Sequence, residues 1–172
     1  MALNGYTVTC GRKTGGIKRI GLIAASDVKS VTVAESAVTA ITLNTSAKFR
    51  RYEFQQDQAE LTIGGSGTSV DISIDMWLEK MSAAGSKAIN EILDSLPCGV
   101  MALVELANGE SCLVGYSAIL GANRPIKTAS LGGTSGRAFA DDSYQQITLT
   151  VSQPDEPLYL SSSVEIDTLY AA

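Results

Sequence analysis

Residues 59–76 constrain the fold more than any other part of this 172-residue chain. Ala59, Leu61 and Ile63 alternate with Glu60 and Thr62. After Gly64-Gly65-Ser66-Gly67-Thr68-Ser69, the apolar residues Val70, Ile72, Ile74 and Met76 alternate with Asp71, Ser73 and Asp75. Period-two alternation on both sides of a Gly-rich turn predicts a β-hairpin. Leu61, Ile63, Val70, Ile72, Ile74 and Met76 form the face that must be buried. Glu60, Thr62, Asp71, Ser73 and Asp75 form the other, which holds acids and hydroxyls and no base. A slip of one residue would bury three carboxylates together, so the register is fixed by desolvation. A short-chained, all-acidic face stays wet and repels polyanions.

The rest of the chain repeats this β texture. Ile17 to Ala24, Val28 to Val33 and Val38 to Leu43 read as strands, the last two rich in β-branched residues. Phe49 to Gln58 alternates through Tyr52 and Phe54, and the apolar phase slips at Gln58-Ala59, as at a β-bulge or short turn. One amphipathic helix is expected over about 78–96, with Met81, Ala84, Ala88, Ile89, Ile92, Leu93 and Leu96 on one side and Pro97 ending it. Its polar face mixes Glu and Lys, which fits packing on a sheet better than lying on a membrane. Val100 to Leu106 and Ser111 to Ile119 flank Asn108-Gly109, the residues of a tight hairpin turn. Residues 121–142 read as a long Gly/Ser/Thr-rich loop. Tyr144 to Val151 reads as a final strand, broken by Pro154 and Pro157. Residues 1–16 read as irregular, and residues 155–172 as an acidic C-terminal arm anchored by Val164, Ile166 and Leu169. The expected fold class is therefore mainly β: one antiparallel β-sandwich or small barrel with one flanking helix, in a single domain over 1–172.

Composition narrows the chemistry. The chain has no His, which removes the Ser-His-Asp and Cys-His nucleophile systems and the commonest general base. Ser26-Asp27-Val28-Lys29 has the Ser-x-x-Lys spacing but lies in a β-rich stretch without the accompanying motifs. Neither Gly64-Gly65-Ser66-Gly67 nor Gly132-Gly133-Thr134-Ser135-Gly136 is followed by Gly-Lys-Ser/Thr, so neither is a phosphate loop. Cys10, Cys98 and Cys112 have no Cys-x-x-Cys spacing and are expected as buried, reduced thiols. Asp71 and Asp75 are roughly 13 Å apart along one strand, too far to share an ion directly. No metal, cofactor or catalytic residue is expected. The N-terminus has neither a basic nor a long apolar region, so no secretory signal is expected.

The net charge of −5 conceals a segregation. Residues 1–51 hold eight bases against Asp27 and Glu35, whereas residues 52–172 hold five bases against sixteen acids. Such halves suit self-association through complementary surfaces. Arg12, Lys13, Lys48, Arg50, Arg51, Arg124, Lys127 and Arg137 are the candidate inter-subunit contacts. Phe49-Arg50-Arg51-Tyr52-Glu53-Phe54 interleaves bases with aromatics as some single-strand binders do, but its alternation fits a half-buried strand.

The order of these elements resembles the tail tube proteins of tailed bacteriophages and related contractile-injection tube proteins. The resemblance runs from about Cys10 to Leu158. It is carried by Gly15-Gly16-Ile17 leading into the first strand, Asp27-Val28 after it, and the strands around Tyr52-Glu53-Phe54 and Val70 to Asp75. The single helix, the Asn108-Gly109 hairpin, the loop Gly132 to Gly136 with Phe139 and Asp141-Asp142, and the strand Gln146 to Thr150 complete it.

The resemblance implies a virion structural protein, not an enzyme, assembled in the host cytoplasm and ending in the virion tail. Six copies would close into a ring whose inner strands form one barrel, and rings would stack into a tube that conducts DNA without binding it. Its partners would be copies of itself and other tail or neck proteins, with no membrane. Glu60, Thr62, Asp71, Ser73 and Asp75 would face the lumen. Residues 1–16, 44–48 and 121–142 are the candidates for stacking loops. Connector, neck and tail-terminator ring proteins share this expected fold. The competing expectation is a carbohydrate- or protein-binding β-sandwich, such as a capsid-decoration or adhesin module, which exposed aromatics would favour; the sole Trp77 is expected to be buried.

Overall fold

A computed structural model describes residues 5–7, 13–54 and 56–171. Strands account for 49% of the chain and helical segments for 12%, so sheet packing must build the core. In chain order the strands begin with β1 (Ile17–Ala24), β2 (Val28–Ala34), β3 (Ala37–Leu43), β4 (Arg50–Tyr52), β5 (Ala59–Ser66) and β6 (Ser69–Leu78). The helix α1 (Ala83–Ser95) follows, then β7 (Val100–Leu106), β8 (Ser111–Val114), β9 (Thr128–Thr134), β10 (Tyr144–Gln153), β11 (Leu158–Leu160) and a short α2 (Ile166–Leu169). A 3-10 turn at Ala25–Asp27 joins β1 to β2.

Seven strands form a curled half-barrel in the order β2-β3-β11-β8-β7-β1-β4. The other four form an antiparallel sheet in the order β5-β6-β10-β9. In that sheet the period-two pattern sets which side chains face the core. Ile72, Ile74 and Met76 of β6 are buried beside Ile147, Leu149 and Val151 of β10. They meet Ile20, Leu22, Ala102, Val104, Cys112 and Val114 from the seven-stranded sheet, and Ile89, Ile92 and Leu96 from the helix. A second core of Ile23, Val38, Phe49, Met101, Leu103, Leu113, Leu158, Leu160, Leu169 and Tyr170 gathers residues of opposite parity on β1, β7 and β8. β7 is therefore covered on both faces, which is why Val100-Met101-Ala102-Leu103-Val104 is an unbroken apolar run.

Several boundaries differ from the sequence expectation. The helix starts at Ala83, not near Leu78, because Trp77 and Leu78 complete β6. Ser82 caps it in an extended conformation, its Oγ accepting from the Gly85 N–H at 3.0 Å. Leu78 is buried as a strand residue, and over so few positions strand and helix periods coincide. Met81 precedes the helix and is exposed, as is Ala84. The strand expected over 49–58 is only Arg50–Tyr52, and a turn at Gln56-Asp57 accounts for the phase slip. The strand expected to reach Ile119 stops at Val114. There Ser117 and Gly121 exchange backbone hydrogen bonds, and Asp155 accepts from the Ser117 hydroxyl and the Ala118 N–H. The long loop 121–142 contains β9, which its two glycines and lack of β-branched core residues disguised. Residues 155–171 pack onto the domain: β11 joins β8 and β3, and Leu169 and Tyr170 are buried, with Val164 and Ile166 against them. Of the expected buried thiols, Cys112 is buried and pushed up to about 12 by desolvation, whereas Cys98 is exposed; Cys10 lies outside the described residues.

Candidate functional site

The outer face of the four-stranded sheet carries the expected polar set and extends it. Cross-strand pairing places Glu60 opposite Asp75, Thr62 opposite Ser73 and Gly64 opposite Asp71. β10 then sets Ser152, Thr150, Thr148 and Gln146 beside Asp71, Ser73, Asp75 and Trp77. β9 adds Thr128, Ser130, Gly132 and Thr134. Among the described residues, the strands give this face three carboxylates, many hydroxyls and amides, and no base.

Like charges directly opposite each other destabilise a strand pair. Here neutral donors compensate. Gln146 Nε2 donates to both oxygens of Asp75 at 2.8 and 2.9 Å, Thr148 Oγ1 donates at 2.9 Å, and Trp77 Nε1 at 3.3 Å. Ser152 Oγ donates to Asp71. Hydrogen bonds from neutral groups satisfy these carboxylates without cancelling their charge, so the face remains acidic. Among the described residues, no three His, Cys, Asp or Glu side chains are grouped to hold a metal ion.

Three of the six residues expected on the buried face are less covered than the pattern implied. Ile63 is 38% exposed, and Leu61 and Val70 are half-buried. β5 is an edge strand, exposed along its second half. The other edge, β9, shows the same feature: Leu131, paired with Ile147 and on the core side, is 56% exposed. Each free edge of this sheet therefore ends in an incompletely covered apolar side chain.

The candidate inter-subunit bases divide into groups. Arg12 lies outside the described residues. Lys13 is exposed, and so are Arg124, Lys127 and Arg137 of the 121–142 segment. Lys48 Nζ donates to the Thr168 carbonyl, Arg50 is exposed on the edge strand β4, and Arg51 lies 3.8 Å from Glu53. Lys48 and Arg50 share the wall of one recess, whereas Arg51 lines a separate crevice with Lys18, Arg19, Glu105 and Asp167.

That last cluster was not anticipated from sequence. Glu105 is buried at the end of β7 and accepts from Lys18 Nζ at 2.6 Å and Arg19 Nε at 2.8 Å. Burial pushes its carboxyl upward, but the two cationic donors outweigh burial and hold it below the ordinary range. Arg19 also pairs with Asp167 at 2.8 Å and lies 4.2 Å over the Tyr170 ring. A charged residue ending the apolar run of β7 was the available signal, but its partners lie at the other ends of the chain.

Trp77 is half-buried on the polar face, not in the core as expected, and stacks on Tyr144 with centroids 4.2 Å apart. The pair borders a crevice of about 390 Å³ with Gln58, Glu79, Lys80, Asp142 and Ser143. Sequence reading placed Trp77 by its neighbourhood, whereas its parity with Asp71, Ser73 and Asp75 gives the observed face.

No family model, no curated protein and no solved structure matches this chain. The fold and the geometry above are therefore the grounds for a functional reading.

Proposed function

We propose that the chain is a self-assembling structural protein whose copies close into a ring, with the acidic sheet face turned inward as the wall of a conduit for DNA, as in a phage tail tube. The observation that carries this reading is the pairing of a base-free acidic face with two unsatisfied edges in the same four-stranded sheet. The strands of this sheet alternate in direction and are even in number. β9 of one copy would thus lie antiparallel to β5 of the next, and the sheet would continue around a ring without a break in pattern. Leu131 stands level with Ala59 in its own sheet, and the tilt of strands in a closed barrel would stagger the next copy by roughly four to five residues, bringing Leu131 of one copy beside Ile63 of the next and covering two apolar side chains that the monomer leaves wet. With strands about 4.8 Å apart and tilted by about 40°, six such sheets would enclose a bore on the order of 40–50 Å between backbones. Glu60, Asp71 and Asp75, repeated around it, would repel a polyanion from the wall and let it slide.

The test is assembly and its dependence on the edges. Purified protein should give rings or tubes by negative-stain microscopy, and Leu131→Lys or Ile63→Lys should leave folded monomers. Monomers of the unmodified chain over a broad range of concentration and salt would sink the reading. Glu60→Lys with Asp71→Lys should retain assembly but retard DNA passage.

A second reading has its own observation. The stacked Trp77–Tyr144 pair beside Gln58, Glu79 and Asp142 combines an aromatic platform with polar groups, a usable arrangement for a saccharide. Titration of oligosaccharides against Trp77 fluorescence separates the two: saturable quenching by a protein that stays monomeric would favour a binding module.

A further inference from the structure

Phe139 is fully exposed at the tip of the segment joining β9 to β10. The tip is held in shape. The Asp141 carboxylate accepts from the Arg137 N–H at 2.8 Å and the Ala138 N–H at 2.7 Å, and the Asp141 N–H closes a turn onto the Ala138 carbonyl. An aromatic ring presented on a pre-formed turn loses little entropy on docking. Arg137 precedes it and Asp141 and Asp142 follow it, so the projection is an aromatic with two acids and one base beside it and is acidic on balance.

The chain also carries a fitting receptor. A recess of about 230 Å³ opens beside the C-terminal end of α1, its wall combining Tyr52, Ile92 and Ala47 with Lys48, Arg50 and Ser95. A cavity of about 150 Å³ holds a benzene ring, so this one has room for a Phe side chain. The wall also holds Asp27, so its two bases leave it basic on balance; they complement the acids beside Phe139 and provide cations for the ring.

The projection cannot reach the recess of its own chain. It is rooted at Ser143, whose Oγ accepts from the Met81 N–H just before the helix N-terminus. The recess lies at the other end of the helix, about 20 Å away along its axis. Four residues of fully extended chain span at most about 14 Å, and these residues are in a turn.

We propose that Phe139 of one copy seats in the Lys48/Arg50 recess of a second copy, a head-to-tail contact that forms the joint between successive rings. Only its naming as a joint between rings rests on the ring-forming reading; the contact itself rests on the projection and the recess. Because the two lie at opposite ends of the subunit, the contact is heterologous and propagates along one direction.

The test compares the unmodified chain, Phe139→Ser and Ser95→Trp, which fills the recess, by sedimentation and negative-stain microscopy. The unmodified chain should stack, and each variant alone should stop at single rings, the joint weakened about 10- to 100-fold. A 1:1 mixture restores one kind of joint, between the intact recess of one variant and the intact Phe139 of the other, and should give two-ring bodies and nothing longer. Arg50→Glu should weaken stacking in the same way, and Asp142→Arg added to it should restore stacking, whether or not Ser95→Trp folds. Stacking by Phe139→Ser equal to that of the unmodified chain would overturn the proposal and leave the ring reading standing. Concentration-dependent chains that need Phe139, formed without rings, would sustain the contact and refute the ring.

Discussion

The ring of Tyr170, near the C-terminus, lies directly on the backbone of Gly21 in β1. A Cβ at position 21 would be 2.5 Å from Tyr170 Cε1 and 3.1 Å from Phe49 Cβ. Tyr170 is buried there, its hydroxyl donating to the Leu103 carbonyl at 3.3 Å, and burial pushes that hydroxyl up to about 12. Gly21→Ala should therefore destabilise the fold by about 1–3 kcal/mol through overpacking. Chemical denaturation checks this. With Tyr170→Ala in the background, Gly21→Ala should cost less than alone, because the clash has been removed.

Glu105 should make stability depend on pH with a defined sign. Its folded carboxyl is held below the ordinary value, so the unfolded chain takes up its proton first as the pH falls. Its contribution is full above the ordinary carboxyl range and is lost as pH drops through the folded value. Glu105→Gln should cost about 1–3 kcal/mol at pH 7. Denaturation series across pH should show the gap to the unmodified chain closing below about pH 4.

Gln145 occupies a core-facing position of β10 because it serves the helix. Its Oε1 accepts from the Ser82 N–H at 3.4 Å and its Nε2 donates to Ser86 Oγ at 3.2 Å. A Cβ at Gly85 would lie 2.1 Å from that Oε1. Gln145→Leu should cost about 1–2 kcal/mol and fray the first turn. Hydrogen exchange at Ser82 to Ser86 should accelerate before that of β10.

Asp71 and Asp75 should respond unequally to replacement. Asp75→Ala strands Gln146, Thr148 and Trp77, which all donate to it, whereas among the described residues Asp71 has only Ser152. Asp75→Ala should cost about 1–3 kcal/mol and Asp71→Ala no more than about 0.5 kcal/mol. Thermal or urea unfolding of the two variants decides it.

Residues 59–76 show how much local pattern settles. Alternation assigned Glu60, Thr62, Asp71, Ser73 and Asp75 to one face, because the pleat sends successive side chains to opposite sides whatever the rest of the chain does. The same rule made the chain mainly β, and the 3.6 period of Ile89, Ile92 and Leu96 located its principal helix. What local pattern left open depended on partners distant in sequence. Whether Leu78 was strand or helix was decided by its pairing with Gln145, and β9 became a strand because β10 offered it an edge. Glu105 found Lys18 and Arg19 across 87 and 86 residues, and Tyr170 reached Gly21 from the far end of the chain. Even Ile63 and Leu131, apolar by pattern, are left wet on the two edge strands of their sheet. Periodicity determines which way a side chain points; only the packed layers determine what it meets there, since burial is a property of the neighbours a fold supplies.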